Sequence, residues 1–177
     1  STENGIGIRT IYDDGLHRTE NEISRRRTFS LLQGGIGLQF NHRRFSMGIL
    51  GAYQRFSLPL LPSAQLYQQK NWQGANLFSS SFYLKVKSRK GSFYNEFVLQ
   101  NSGGYAFTAG YNWHPAPSLH LALSLRAANP KYFSLYSNGP FRDSRGRNES
   151  GIYAAMHWSP FPQWSIQAYA DIFRAHW

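Results

Sequence analysis

The sequence predicts an all-β chain, folded as an antiparallel up-and-down transmembrane β-barrel. Three observations predict it: period-two alternation, short connections alternating with long ones, and aromatic residues gathered at one end of the apolar faces. The clearest alternation is Ser118 to Arg126, where Leu119, Leu121, Leu123 and Leu125 share one face and His120, Ala122, Ser124 and Arg126 the other. Such a pattern reads as a strand with one apolar and one polar side. Trp164 to Ile172 repeats it, with Trp164, Ile166, Ala168, Ala170 and Ile172 opposed to Ser165, Gln167, Tyr169 and Asp171.

At 177 residues the chain suits one domain, 1–177. Charged residues are 16% of it, below the usual quarter, and aromatics are also 16%, which is high. No apolar run reaches the roughly 18 residues of a membrane helix. Mean hydropathy is −0.48, a value compatible with a membrane barrel because barrel strands alternate apolar with polar. Composition therefore excludes a helical membrane protein and leaves a β-barrel open. There is no cysteine, so disulfides, thiolate metal sites and cysteine nucleophiles are excluded. Ser-Thr-Glu-Asn-Gly at the start is not an export signal; the reading is that a signal has been removed or that the chain begins inside a larger protein. The net charge of +10 points to anionic lipid, lipopolysaccharide or nucleic acid as partners, with basic loops facing phosphate-rich headgroups as the simpler account.

In chain order, Gly5 to Tyr12 reads as a first strand, followed by a polar loop from Asp13 to Arg27. Phe29 to Asn41 sets Ile36, Leu38 and Phe40 against Gln33, Gln39 and Asn41. After the turn His42-Arg43-Arg44, Phe45 to Arg55 sets Phe45, Met47, Ile49 and Tyr53 against Ser46, Gly48 and Gln54. Pro59 to Gln73 reads as a long connection opened by two prolines. Asn76 to Lys87, Phe93 to Gln100 and Tyr105 to His114 alternate in the same way, joined by Ser88-Arg89-Lys90-Gly91 and Asn101-Ser102-Gly103-Gly104. Pro115-Ala116-Pro117 leads into the leucine ladder. Asn129 to Ser150 is the longest loop. A strand through Ile152, Ala154, Met156 and Trp158, a Pro-rich turn over Ser159 to Gln163 and the final strand complete the count at nine.

Short turns fall near residues 43, 90, 116 and 161, and mostly longer loops near 20, 66, 102 and 140, the third of these being short. Outer-membrane barrels have that asymmetry. Phe45, Phe93, Trp113, Trp158 and Trp164 flank the short turns on the apolar faces and read as a membrane-interface girdle. Bacterial single-chain barrels use even strand numbers. The expectation is thus nine or ten visible strands, with the ending Phe173-Arg174-Ala175-His176-Trp177 read as a strand leaving mid-stride and the chain as part of a larger barrel.

Several stretches carry a family resemblance: Gly15 to Glu20 (GLHRTE), Trp72 to Leu77 (WQGANL), Tyr132 to Asn138 (YFSLYSN), Asn148 to Tyr153 (NESGIY) and above all Trp164 to Arg174 (WSIQAYADIFR). In these the chain resembles the C-terminal barrel of Bacteroidota proteins described as helix-hairpin-helix (ComEA-like) domain proteins. The resemblance covers most of the chain and implies outer-membrane placement in a Gram-negative bacterium. The family's name derives from a module ahead of the barrel, and no helix-hairpin-helix pattern occurs in these residues, so DNA handling is not carried over.

Catalytic chemistry finds little footing. His120 and Ser124 share a polar face, but four residues along a strand span about 13 Å, too far for a nucleophile and its base. His114 and His157 lie near short turns, as interfacial residues do. Asp13 and Asp14 flank His17, a pairing common by chance. The six histidines lack HxH or HxxxH spacing, so no metal is expected, and no cofactor. Asn148-Glu149-Ser150 matches a weak glycosylation pattern, and Gly34, Gly35 and Gly37 lack the Lys-Ser or Lys-Thr of a phosphate loop, reading instead as sites of bending or close packing. Arg9, Lys85, Lys87, Glu96, Arg126 and Asp171 are the lumen-facing candidates; in a small barrel they would pair and fill the interior. Arg25, Arg26, Arg27, Arg142, Arg145 and Arg147 are the candidates for anions or nucleic acid, with a solvated face as the plainer reading.

The function expected is therefore not enzymatic. It is an integral outer-membrane β-barrel, acting as a pore or as the barrel of a transport or secretion assembly with other outer-membrane proteins. Two alternatives stand beside it: a membrane anchor for a DNA-uptake protein, and a soluble β-sandwich binding module.

Overall fold

The computed structural model of the chain describes residues 7–8, 29–62, 72–135, 141 and 148–175. Eight strands run through them: β1 (Leu31–Asn41), β2 (Phe45–Leu60), β3 (Gly74–Ser88), β4 (Gly91–Gln100), β5 (Tyr105–Ala116), β6 (Leu119–Ala128), β7 (Glu149–Trp158) and β8 (Ile166–Ala175). They form one sheet in chain order, each strand antiparallel to the next. Tight turns at Arg89–Lys90 and Pro117–Ser118 permit only antiparallel neighbours, since a parallel pair needs a long crossover. The sheet is open: β1 and β8 are its two edges and do not touch.

The expected count of nine or ten strands is corrected to eight among the described residues. Of Gly5 to Tyr12 only Gly7 and Ile8 are described, and Ile8 makes an isolated parallel bridge to Leu60. The Ile8 N–H donates to the Pro59 carbonyl at 2.9 Å and Leu61 N–H donates to the Ile8 carbonyl at 2.8 Å. The physical cause is that β2 outlasts β1, whose ladder ends at Leu31 opposite Phe56, and Ile8 takes up part of the edge left over. Pro59, expected to open a loop, lies inside β2 because it needs to supply only an acceptor there. Trp164 is corrected as well. Pro160 and Pro162 withhold two backbone donors, β8 begins at Ile166, and Trp164 closes a turn by donating its N–H to the Phe161 carbonyl at 3.0 Å.

Register sorts the side chains into two faces. Gln39 opposes Gly48, Gly48 opposes Tyr83, and Tyr83 opposes Glu96; Glu96 opposes Thr108, which opposes Arg126. The polar positions thus form one continuous face across the sheet. A one-residue slip would turn every one of them over. The opposite face is apolar and bare, with Ile36 78% and Leu38 76% exposed on β1 and Ile172 74% exposed on β8. Ser80 and Asn95 interrupt it. Among the described residues the hydrophobic core is a small cluster of Ile8, Phe56, Trp72, Leu77 and Phe133. Phe56 and Leu77 occupy polar-face positions at the long-loop end, in step with Gln54.

Glycines let large side chains lie flat on the polar face. Tyr83 covers Gly48 and Tyr94 covers Gly110, each directly across the ladder. A Cβ at Gly110 would fall within the Tyr94 ring. Gly110→Ala is expected to lift that ring and cost about 1–2 kcal/mol, read as a lower thermal midpoint of the folded species. Combining it with Tyr94→Ala should recover most of the loss through non-additivity; if the double variant simply adds the two losses, the clash is not the cause.

Candidate functional site: the polar face and its two ends

The polar face carries Lys85, Lys87, Glu96, Arg126 and Asp171 of the lumen-facing candidates. Arg9 lies outside the described residues, as do all six arginines of the two basic loop clusters, Arg25, Arg26, Arg27, Arg142, Arg145 and Arg147. Near the long-loop end, Arg126 reaches from β6 over Gly151 of β7 to β8. Its Nε donates to Glu149 Oε1 at 2.6 Å, and its two terminal nitrogens meet both Asp171 carboxylate oxygens at 2.8 and 3.0 Å. Arg126 is 4% exposed and Glu149 5%, a buried, charge-assisted pair that the partly exposed Asp171 extends to β8. Gly151 is required beneath it, since a Cβ there would stand 2.8 Å from the guanidinium carbon. Of the six charged candidates for this face, Arg126 and Asp171 pair with each other. Glu149 was not among the candidates, because residues 23 positions apart give no sequence signal of contact.

At the short-turn end three imidazoles gather. His120 and His157 are direct cross-strand partners with rings 5.8 Å apart, and His114 meets His120 edge-on at 4.5 Å. The His157 Nε2 and Ser165 Oγ are hydrogen-bonded at 2.9 Å. The rings line a groove of about 400 Å³ with Tyr153, Gln167 and Tyr169. They pack against one another, and among the described residues no three ligands converge on a point fit for a metal ion. Spacing along the chain missed this cluster because its members are neighbours through the ladder.

The proposed girdle residues sort by position. Phe45, Phe93, Trp113 and Trp158 stand at the short-turn end of the apolar face, where Phe93 opposes Val86, the partner of Phe45, and Trp158 opposes Leu119. Trp164 stands exposed in the turn. A second aromatic set, at the other end of that face, is formed by Tyr53, Phe78 and Tyr105. Beyond it the face turns polar at the Arg55–Asn76 pair, and the Tyr53 hydroxyl donates to Asn76 Oδ1 at 2.9 Å.

No family model, curated protein or solved structure matches this chain.

Proposed function

We propose that the chain forms part of the wall of an integral outer-membrane β-barrel, wider than eight strands, that serves as a pore or as the barrel of a transport or secretion assembly. The bare apolar face carries this reading. Soluble monomers rarely expose apolar patches beyond a few hundred Å², whereas lipid would cover such a face completely. Six of the strands have 10 to 12 residues, near the 9–11 that cross a bilayer at a tilt. Phe45 to Tyr53, from one aromatic set to the other, runs about 26 Å along β2 at roughly 3.3 Å per residue. At a tilt of about 40° that length rises about 20 Å, within a few ångströms of the height of an outer-membrane apolar band.

Width follows from the edges and the polar face. An open edge has no place in hydrocarbon, where every backbone donor and acceptor must be paired, so β1 and β8 require further strands. Tyr83, Tyr94 and Arg126 lie flat over Gly48, Gly110 and Gly151 instead of projecting inward, which favours a wider barrel over an eight-stranded one filled by its own side chains.

Full-length protein from outer-membrane fractions, run cold and boiled on a denaturing gel, is expected to shift in mobility on heating. Recovery in the soluble fraction with no shift would refute the membrane reading, and the apolar face would then belong to a contact with another soluble domain.

A further inference from the structure

The described residues place their only compact core on the polar side of the sheet, at its long-loop end, and a loop completes it. After β6 the chain turns at Asn129. The Asn129 backbone N–H donates to the Tyr105 carbonyl, its Oδ1 accepts from Tyr105 N–H at 3.0 Å, and its Nδ2 donates to the Gly103 carbonyl at 2.9 Å. The Tyr132 N–H closes a turn on the Asn129 carbonyl at 3.1 Å, and the backbone then passes β5 to reach Gln100 of β4, from where the Phe133 ring extends to Phe56 of β2. Gly104 lets it pass: a Cβ at that position would stand 2.7 Å from the Lys131 carbonyl oxygen and 2.9 Å from Tyr132 Cα.

The far end of the loop is anchored twice. Phe133 is 2% exposed, with its ring 5.1 Å from that of Trp72 and 6.2 Å from that of Phe56. Its backbone is held by one side chain: Gln100 Nε2 donates to the Phe133 carbonyl at 2.7 Å, and Phe133 N–H donates to Gln100 Oε1 at 3.0 Å. This buried amide pair copies a strand ladder without a strand. The Tyr132 hydroxyl beside it is pushed above the ordinary value of 10.0 by burial, with the hydrogen bond to Ser134 acting against this and Glu96 in the same direction. Beneath the loop lies an open groove of about 420 Å³ lined by Gln54, Ser79, Ser81 and Glu96 among others.

We propose that residues 129–135 are a constriction, which crosses the polar face and narrows the long-loop end of the barrel's pathway, with Gln100 as the positioning residue that holds it. This rests on the barrel reading above. The space left beneath the loop is small, with Leu50, Ala52 and Val98 lining it beside Gln54, Ser81 and Glu96, so it admits small solutes and excludes larger ones.

The test uses full-length protein in planar bilayers. Phe133→Gly and Gln100→Leu are expected to shift single-channel conductance upward and to admit larger uncharged solutes. Gln100→Glu keeps the acceptor and loses the donor, and should fall between. Unchanged conductance in variants that keep their cold-gel mobility would overturn the constriction while leaving the barrel standing. Absence of that mobility shift in the unsubstituted protein would remove the barrel, and the constriction with it. A second readout needs no current. The 177 residues hold no cysteine, so Ser81→Cys, with any cysteine elsewhere in the full-length protein replaced by serine, supplies a single thiol in the groove. A bulky maleimide should label it slowly, and much faster when Phe133→Gly is added. Equal labelling rates would sink the proposal.

Discussion

Leu123→Arg is expected to cost about 2–4 kcal/mol of folding free energy, the depth-dependent cost of an arginine at the middle of a barrel's lipid face. Leu123 sits midway along β6 on the apolar face and is 48% exposed. On a soluble sheet a half-exposed leucine replaced by arginine would change stability by only about 0.5 kcal/mol. The two environments therefore differ severalfold for the same substitution. The measurement is the urea midpoint for folding into lipid vesicles, compared with Ser124→Lys on the polar face of the same strand. A large loss for Leu123→Arg and a small one for Ser124→Lys is the expected result. Equal, small losses would mean that water, not lipid, meets the leucine ladder.

Arg126→Met is expected to be nearly as damaging, by about 3 kcal/mol. Removing the arginine takes from buried Glu149 the ion pair at 2.6 Å, and breaking one partner of a buried pair typically costs about 3–5 kcal/mol. The low end applies because the Asp171 side chain is 33% exposed and can recover water. Glu149→Gln retains an acceptor for Arg126 Nε and should cost less than half as much. Replacing Arg126, Glu149 and Asp171 together with apolar residues of similar volume should recover much of the loss, since buried ion pairs seldom outperform well-packed hydrophobes. The folded-band melting temperature on a cold-loaded gel reads all three. An Arg126→Met variant that melts like the unsubstituted protein would show that the triad does not tie β6, β7 and β8 together.

Both predictions separate what is local from what is not. Period-two alternation is a local property, so Leu119, Leu121, Leu123 and Leu125 declare a face before any partner is known, and His120, Ser124 and Arg126 declare the other. From that alternation and the turn residues, the eight described strands and their facing were legible along the chain, apart from the far end of β2 beyond Arg55 and the start of β8. Trp164 shows the limit: it continues the apolar pattern of Ile166 and Ala168, yet Pro160 and Pro162 hold the chain in a turn until Ser165, and pattern alone does not register a missing donor.

What the sequence determined by itself is therefore the all-β class, the up-and-down order and the identity of the two faces, because each depends on neighbours within a few residues. Tertiary structure decided the rest. The register across β6, β7 and β8 brought Arg126, Glu149 and Asp171 together, and the ladder made neighbours of His114, His120 and His157. The loop that carries Phe133 folded onto the polar face because Gln100, 33 positions away, offers it both halves of an amide pair. Contacts of that kind depend on which residues face one another across strands, and spacing along one strand holds no record of it.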